Sequence, residues 1–170
     1  MPKYKLGKID SLSGRKCSIY SILDCNDKSK TFLDLFIDEN INSFKSETIE
    51  LISRLKTIGY KTGARLQYFK VHEGNPGDGV CALFDNEESN LRLYCIHYGV
   101  QLIIVGGRGH KPKTISAFQE DEKLKEENYF LRKLSALITG RIKEKEIKFS
   151  DDGFDFIGDG YSGDVDPSFR

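Results

Sequence analysis

The sequence predicts a mixed α+β domain: a β-hairpin, then two helices, an antiparallel β-meander and a long closing helix. Three patterns predict it. Apolar and polar residues alternate near the N-terminus, apolar residues recur at helical spacing over residues 30–58, and three short apolar runs lie between residues 79 and 105. At 170 residues the chain is long enough for one domain with a sizeable core.

Each element has its own signal. Tyr4 to Ile9 alternates like a half-buried strand, Ser11 to Arg15 supplies turn residues, and Cys17 to Leu23 alternates again, so an N-terminal hairpin is expected. Asp27 or Ser29 can cap a helix through Thr31 to Ile37. A second helix starts near Ser46, carries Ile49, Ile52 and Leu55 on one side, and ends at Ile58 with Gly59 as the glycine past its end. The two form an αα-hairpin packed on the sheet. Residues 60–79 hold the breakers Gly63, Gly74, Pro76, Gly77 and Gly79, around a short aromatic segment, Ala64 to Val71, that reads as extended.

The meander strands are Gly79 to Phe84, Leu91 to Tyr98 and Gln101 to Val105. The joints, Asp85 to Asn90 and Gly99 to Val100, are short enough for antiparallel hairpins. A loop follows from Gly106 to Thr114. The last helix runs from about Ser116 to Leu137 on the apolar side made by Phe118, Leu124, Tyr129, Phe130, Leu131, Leu134 and Leu137, with Gly140 as its end. Residues 1–150 are read as one domain and 151–170, where glycines are interspersed among aspartates, as a flexible acidic tail.

Composition narrows the function classes. Apolar residues make up 38% and charged residues 31%, the range of globular chains. No stretch approaches the ~18 apolar residues of a membrane span, and Met1 to Lys5 leads into no apolar segment. A cytoplasmic location without a membrane partner is the expectation. Cys17, Cys25, Cys81 and Cys95 form no C-x-x-C pair and sit in β-branched or aromatic runs, so buried, reduced thiols are expected and a zinc site is not. No metal or other cofactor is expected.

The net charge of zero conceals an asymmetry. Residues 151–170 carry six aspartates and one arginine, whereas residues 1–150 carry 25 Lys+Arg against 20 Asp+Glu. A mildly basic body suits a nucleic-acid partner, although an excess of this size also occurs on plain solvated faces.

The element order, the Arg-bearing strand Leu91 to Ile96, the hydrophobic strand Gln101 to Val105 and the Lys-rich loop His110 to Thr114 together resemble the RelE/HigB superfamily of type II toxin–antitoxin toxins, its phage-derived branch above all. The resemblance covers residues 17–140. It implies a RelE-like fold and an mRNA endoribonuclease, metal-independent and either free or ribosome-dependent. The implied partners are mRNA or the ribosome and a cognate antitoxin protein. Two departures stand out. Members often close the first meander strand with an arginine, where this chain reads Leu83, Phe84, Asp85. Members are also nearer 100 residues, so the N-terminal strand and acidic tail are additions. The missing arginine bears on catalytic potency more than on fold.

Metal-independent RNA cleavage needs a base for the 2′-hydroxyl, positive charge on the phosphate and an acid for the leaving oxygen. The candidate catalytic residues are His110, Arg92 and Lys111. Arg108, Lys111 and Lys113 around His110 would favour its neutral form, as a base requires, and Arg92 would clamp the phosphate bidentately. Arg65, Tyr94, Arg108 and Lys113 are the candidate nucleic-acid contacts, with Tyr94 and Tyr98 on the Arg92 face placed to stack bases. Ordinary alternatives stand beside each: a solvated loop, an Arg92 ion pair with Asp85 or Glu88, core tyrosines. His97 alternates out of phase with Arg92 and is expected to be structural. Gly106 to Gly109 lacks Walker spacing and the dinucleotide fingerprint, which argues against nucleotide binding. A non-catalytic binding module on the same fold, or a phage or mobile-element structural protein, are the other function classes.

Overall fold

The structure, a computed structural model, describes residues 5–24, 29–70, 79–83, 91–106 and 117–157. The chain is an α+β fold. The N-terminal hairpin is β1 (Leu6–Lys8) and β2 (Ser18–Ile22), paired antiparallel with Leu6 opposite Ile22. Two helices follow, α1 (Phe32–Asn40) and α2 (Lys45–Thr57). The meander strands are β4 (Val80–Leu83), β5 (Tyr94–His97) and β6 (Leu102–Val105), preceded by a two-residue strand β3 (Phe69–Lys70). All four pair antiparallel in chain order.

One parallel pairing joins hairpin to meander. Ser18 to Ser21 of β2 run beside Leu102 to Val105 of β6, giving a six-stranded sheet in the order β1-β2-β6-β5-β4-β3. Helix α3 (Ala117–Lys143) follows. Its expected end at Gly140 is overrun, because that glycine sits in open space and nothing there stops the helix.

Layers cover both faces of the sheet. Cys17, Ile19, Cys81, Leu83, Cys95, Ile103 and Val105 point toward α1 and α2, meeting Leu33, Phe36, Leu51 and Leu55. The alternate residues Tyr20, Ile22, Val80, Tyr94, Ile96, Leu102 and Ile104 meet Phe130, Leu131, Leu134 and Ile138 of α3. That double cover is why β2, β4 and β6 are buried along their whole length.

Local chemistry sets the helix ends. Thr31, not Ser29, caps α1: its hydroxyl accepts from the Asp34 N–H, while the Asp34 carboxylate accepts from the Thr31 N–H at 2.8 Å. This reciprocal box is worth about 1 kcal/mol. Asp27 and Cys25 lie outside the described residues. Gly59 does not end α2. The helix runs on into a π-helical turn, Ile58–Thr62, and the chain turns at Gly63, where φ is +78°. The segment read as extended after Ala64 begins instead with a 3₁₀ turn, Leu66–Tyr68.

The expected flexible tail is corrected over its first seven residues. Strands β7 (Lys148–Phe149) and β8 (Phe156–Ile157) pair antiparallel around a turn in which Gly153 adopts φ +79°. The Ser150 hydroxyl donates to Asp152 at 2.6 Å and the Phe154 N–H donates to the same oxygen, holding the Asp152 carboxyl below its usual range. Phe156 anchors this hairpin, with its ring 5.3 Å from Tyr20 and 5.6 Å from Tyr98. Lys8 pairs with Asp155 at 2.7 Å. An aromatic spaced for burial outweighs the glycines and aspartates around it. Residues 158–170 lie outside the described residues.

Candidate nucleic-acid interface

Arg92 lies just before β5, and its surroundings follow from alternation. Leu91 and Leu93 are both buried in the α1–α2 core, so Arg92 takes the opposite side, with Tyr94 and Ile96, toward α3. It is half-buried, and its Nε is inaccessible to solvent. Burial of that nitrogen restricts the directions the side chain can take, and a planar guanidinium matches a planar oxyanion. Asp85 and Glu88, its alternative ion-pair partners, lie outside the described residues.

The stacking role expected for Tyr94 is corrected. Its side chain is 4% exposed and packs in the core shared with α3. The helix crosses β4 and β5 on the face where the tyrosine stands, so a base has no access to the ring. Tyr98 is also occupied, by Phe149 at 5.8 Å and Phe156 at 5.6 Å. The apolar stripe of α3 and the aromatic pair in the C-terminal hairpin required burial against something, and these tyrosines supply it.

His97 points the other way. Its Nε2 lies 2.6 Å from the Ala64 carbonyl oxygen, and its ring meets Phe69 edge-on at 5.4 Å. A carbonyl only accepts, so Nε2 carries the proton and the imidazole ties the segment after α2 to the sheet.

Arg65 is exposed and stands away from Arg92. The Ala64 N–H donates to the Val100 carbonyl at 2.8 Å and the Ala64 carbonyl accepts from His97, so Arg65 follows at the turn end of β5. Arg92 is five residues back along that strand, roughly 16 Å at the usual rise. The structure therefore does not unite these two candidates. Arg65 instead neighbours Arg15, Lys16 and Lys61, through the hydrogen bond from Lys16 N–H to the Gly59 carbonyl and the close approach of Gly63 to Lys16 and Val100. Sequence reasoning missed this grouping. The available signal was the lack of any Asp or Glu from residue 11 to 23 and from 51 to 72.

Arg108, His110, Lys111 and Lys113 lie outside the described residues, between Gly106 and Ala117. The chain departs for them at the Arg92 end, where Gly106 N–H donates to the Tyr94 carbonyl at 2.8 Å. Among the described residues no three His, Cys, Asp or Glu side chains gather as a metal ion requires, and no helix is long and apolar enough to cross a membrane. Cys17, Cys81 and Cys95 are buried free thiols. Burial pushes Cys17 up to about 12 and Cys95 well above its ordinary value, the latter reinforced by Cys81 and Cys17. Such thiols stay protonated and are poor nucleophiles.

No protein-family model, curated protein or solved structure matches the chain.

Proposed function

We propose that the chain is an RNA-cleaving toxin of the RelE/HigB kind, acting on mRNA alone or on the ribosome and neutralised by a cognate antitoxin protein. The observation that carries the reading is the departure of the chain at Gly106, bonded to Tyr94 two residues from Arg92. It starts the segment bearing Arg108, His110, Lys111 and Lys113 at the sheet end that holds the half-buried Arg92. That stretch also contains no Asp or Glu between Glu88 and Glu120. In this reading that segment brings cations and no carboxylate of its own to a phosphate.

In this reading Arg92 holds the scissile phosphate and His110 takes the proton of the 2′-hydroxyl. The oxygen attacks phosphorus, the bond to the 5′-oxygen breaks, and Lys111 supplies the leaving oxygen with a proton. The products are a 2′,3′-cyclic phosphate and a 5′-hydroxyl end. RelE-like topology, with α1 and α2 on one face of the antiparallel meander, belongs to the same proposal.

A second reading, a non-catalytic RelE-like module that binds nucleic acid or protein, is favoured by one observation: α3 covers Tyr94, leaving fewer groups for chemistry on the Arg92 face. Induced expression in bacteria separates the two. The toxin reading expects growth arrest with mapped mRNA cleavage; arrest with intact mRNA supports the binding module and contradicts the nuclease.

A further inference from the structure

Three backbone segments meet at the end of the sheet farthest from Arg92, and two glycines lock them. The Lys16 and Cys17 N–H groups both donate to the Gly59 carbonyl, at 2.9 and 3.2 Å. A Cβ on Gly59 would fall 1.9 Å from the Leu12 carbonyl oxygen, and one on Gly14 would fall 2.5 Å from the Tyr60 ring. The loop between β1 and β2 is therefore seated on the π-helical turn with no room for a side chain between them. Gly63 then brings the chain to the β5–β6 turn, where Ala64 bonds to Val100.

This junction fixes four exposed cations, Arg15, Lys16, Lys61 and Arg65, on short pieces of rigid backbone. Lys8, Lys30, Arg54 and Arg141 each pair with a carboxylate; the four at this junction make no ion pair among the described residues. The three converging segments carry no acid over residues 11–23, 51–72 and 89–119. Asp10, exposed at the head of the first loop, is the nearest acid along the chain.

Tyr60 stands among these cations. Gly14 packs against its ring, and its hydroxyl donates to the Ser11 carbonyl at 3.3 Å, yet the residue remains 46% exposed. A tyrosine pinned by backbone and still open to solvent loses little freedom when a flat ring stacks on it. Leu66 and Val100, 59% and 49% exposed, widen the apolar part of the same end. Cations for phosphates beside a fixed ring for a base are what single-stranded nucleic acid requires, and π-helical turns recur at functional sites.

We infer that this sheet end is a docking surface for single-stranded RNA, with Arg15, Lys16, Lys61 and Arg65 on phosphates and Tyr60 under a base. The inference rests on the reading of the chain as a protein that acts on RNA, and adds to it a surface distinct from the Arg92 end.

The test is fluorescence anisotropy of the full chain with a labelled single strand of about twelve nucleotides, as RNA and as its uncleavable 2′-deoxy form, titrated with salt. Each phosphate that a variant leaves unneutralised lowers the log–log salt slope by about 0.7 for single strands. The variant R15Q/K16Q/K61Q/R65Q should lower the slope by about 3 on both probes. Should it fail to fold, R15Q/K16Q and K61Q/R65Q should each lower it by about 1.4. Tyr60→Ala should weaken binding roughly tenfold with the slope kept, Tyr60→Phe should bind like wild type, and Asp10→Asn should tighten binding. An unchanged slope in the folded charge variants overturns the surface, as does absence of binding to either probe. Competition by polyglutamate at concentrations matching RNA would assign the surface to an acidic protein instead. Intact binding of the deoxy probe without cleavage of the RNA one would defeat the nuclease reading and leave this surface standing.

Discussion

Replacing Phe156 by alanine tests what holds the C-terminal hairpin on the body. Phe156 is 4% exposed and its ring lies 5.3 Å from Tyr20, 5.6 Å from Tyr98 and 5.3 Å from Phe149. Burying a phenylalanine side chain contributes about 1.5–3 kcal/mol, and ring pairs add about 0.5–1.5 kcal/mol beyond area. Phe156→Ala should therefore cost about 3–5 kcal/mol, as buried phenylalanines do. The competing anchor is the Lys8–Asp155 pair, whose side chains are 36% and 39% exposed. A partly exposed pair is worth at most about 1 kcal/mol, so Asp155→Asn should cost less than that, since the new amide oxygen still accepts from the Tyr20 hydroxyl. Urea melts followed by circular dichroism would show a midpoint drop of about 1–2 M for Phe156→Ala and little change for Asp155→Asn. Limited proteolysis should find new cuts within residues 148–157 only in the first. A loss under about 1 kcal/mol for Phe156→Ala, or a larger one for Asp155→Asn, would refute docking by aromatic burial.

Two glycine substitutions should move stability in opposite directions. Gly59→Ala puts a Cβ 1.9 Å from the Leu12 carbonyl and should cost at least about 1–3 kcal/mol; Gly140→Ala, with nothing within 4 Å inside α3, should gain about 0.5–1 kcal/mol, both read from urea midpoints. The thiols predict an alkaline limit. Unfolded Cys17 ionises near 9.0 and folded Cys17 only near about 12, so the unfolded state loses its proton first. Stability should fall between those pH values by about 1.4 kcal/mol per unit from this group. Cys17→Ala should remove that share, measured as the difference between the two alkaline melts, and native Cys17 should resist a thiol reagent at mildly alkaline pH.

The parts of the fold that local pattern dictates were legible. Alternation in Leu6 to Ile22 marked the hairpin, the spacing of Ile52 and Leu55 marked α2, and apolar runs joined by turn residues marked β4, β5 and β6. The parallel pairing of β2 with β6 was not legible, since a fully buried strand shows no preference for its neighbour in its own residues. Gly59 was misread because a glycine after a helix usually answers a backbone need, whereas this one makes room for the Leu12 carbonyl. The hairpin at 148–157 was hidden by its aspartates, although Asp152-Gly153 between Phe149 and Phe156 is itself a turn signal. At the candidate site, period 2 placed Arg92 and His97 on opposite faces, but it could not say that α3 would cover Tyr94.

The central claim is that Arg92 and the segment from Arg108 to Lys113 together cleave RNA. The most direct measurement is end-mapping of a defined RNA incubated with purified chain, and with ribosomes, in wild type, Arg92→Lys and His110→Ala. The account predicts 5′-hydroxyl and 2′,3′-cyclic phosphate ends for wild type. Arg92→Lys, which keeps the charge and loses the bidentate fork, and His110→Ala, which loses the base, should each slow cleavage by about 10²-fold or more. Wild-type chain that is folded and leaves RNA intact with and without ribosomes, or cleavage that both variants sustain at the wild-type rate, would contradict it.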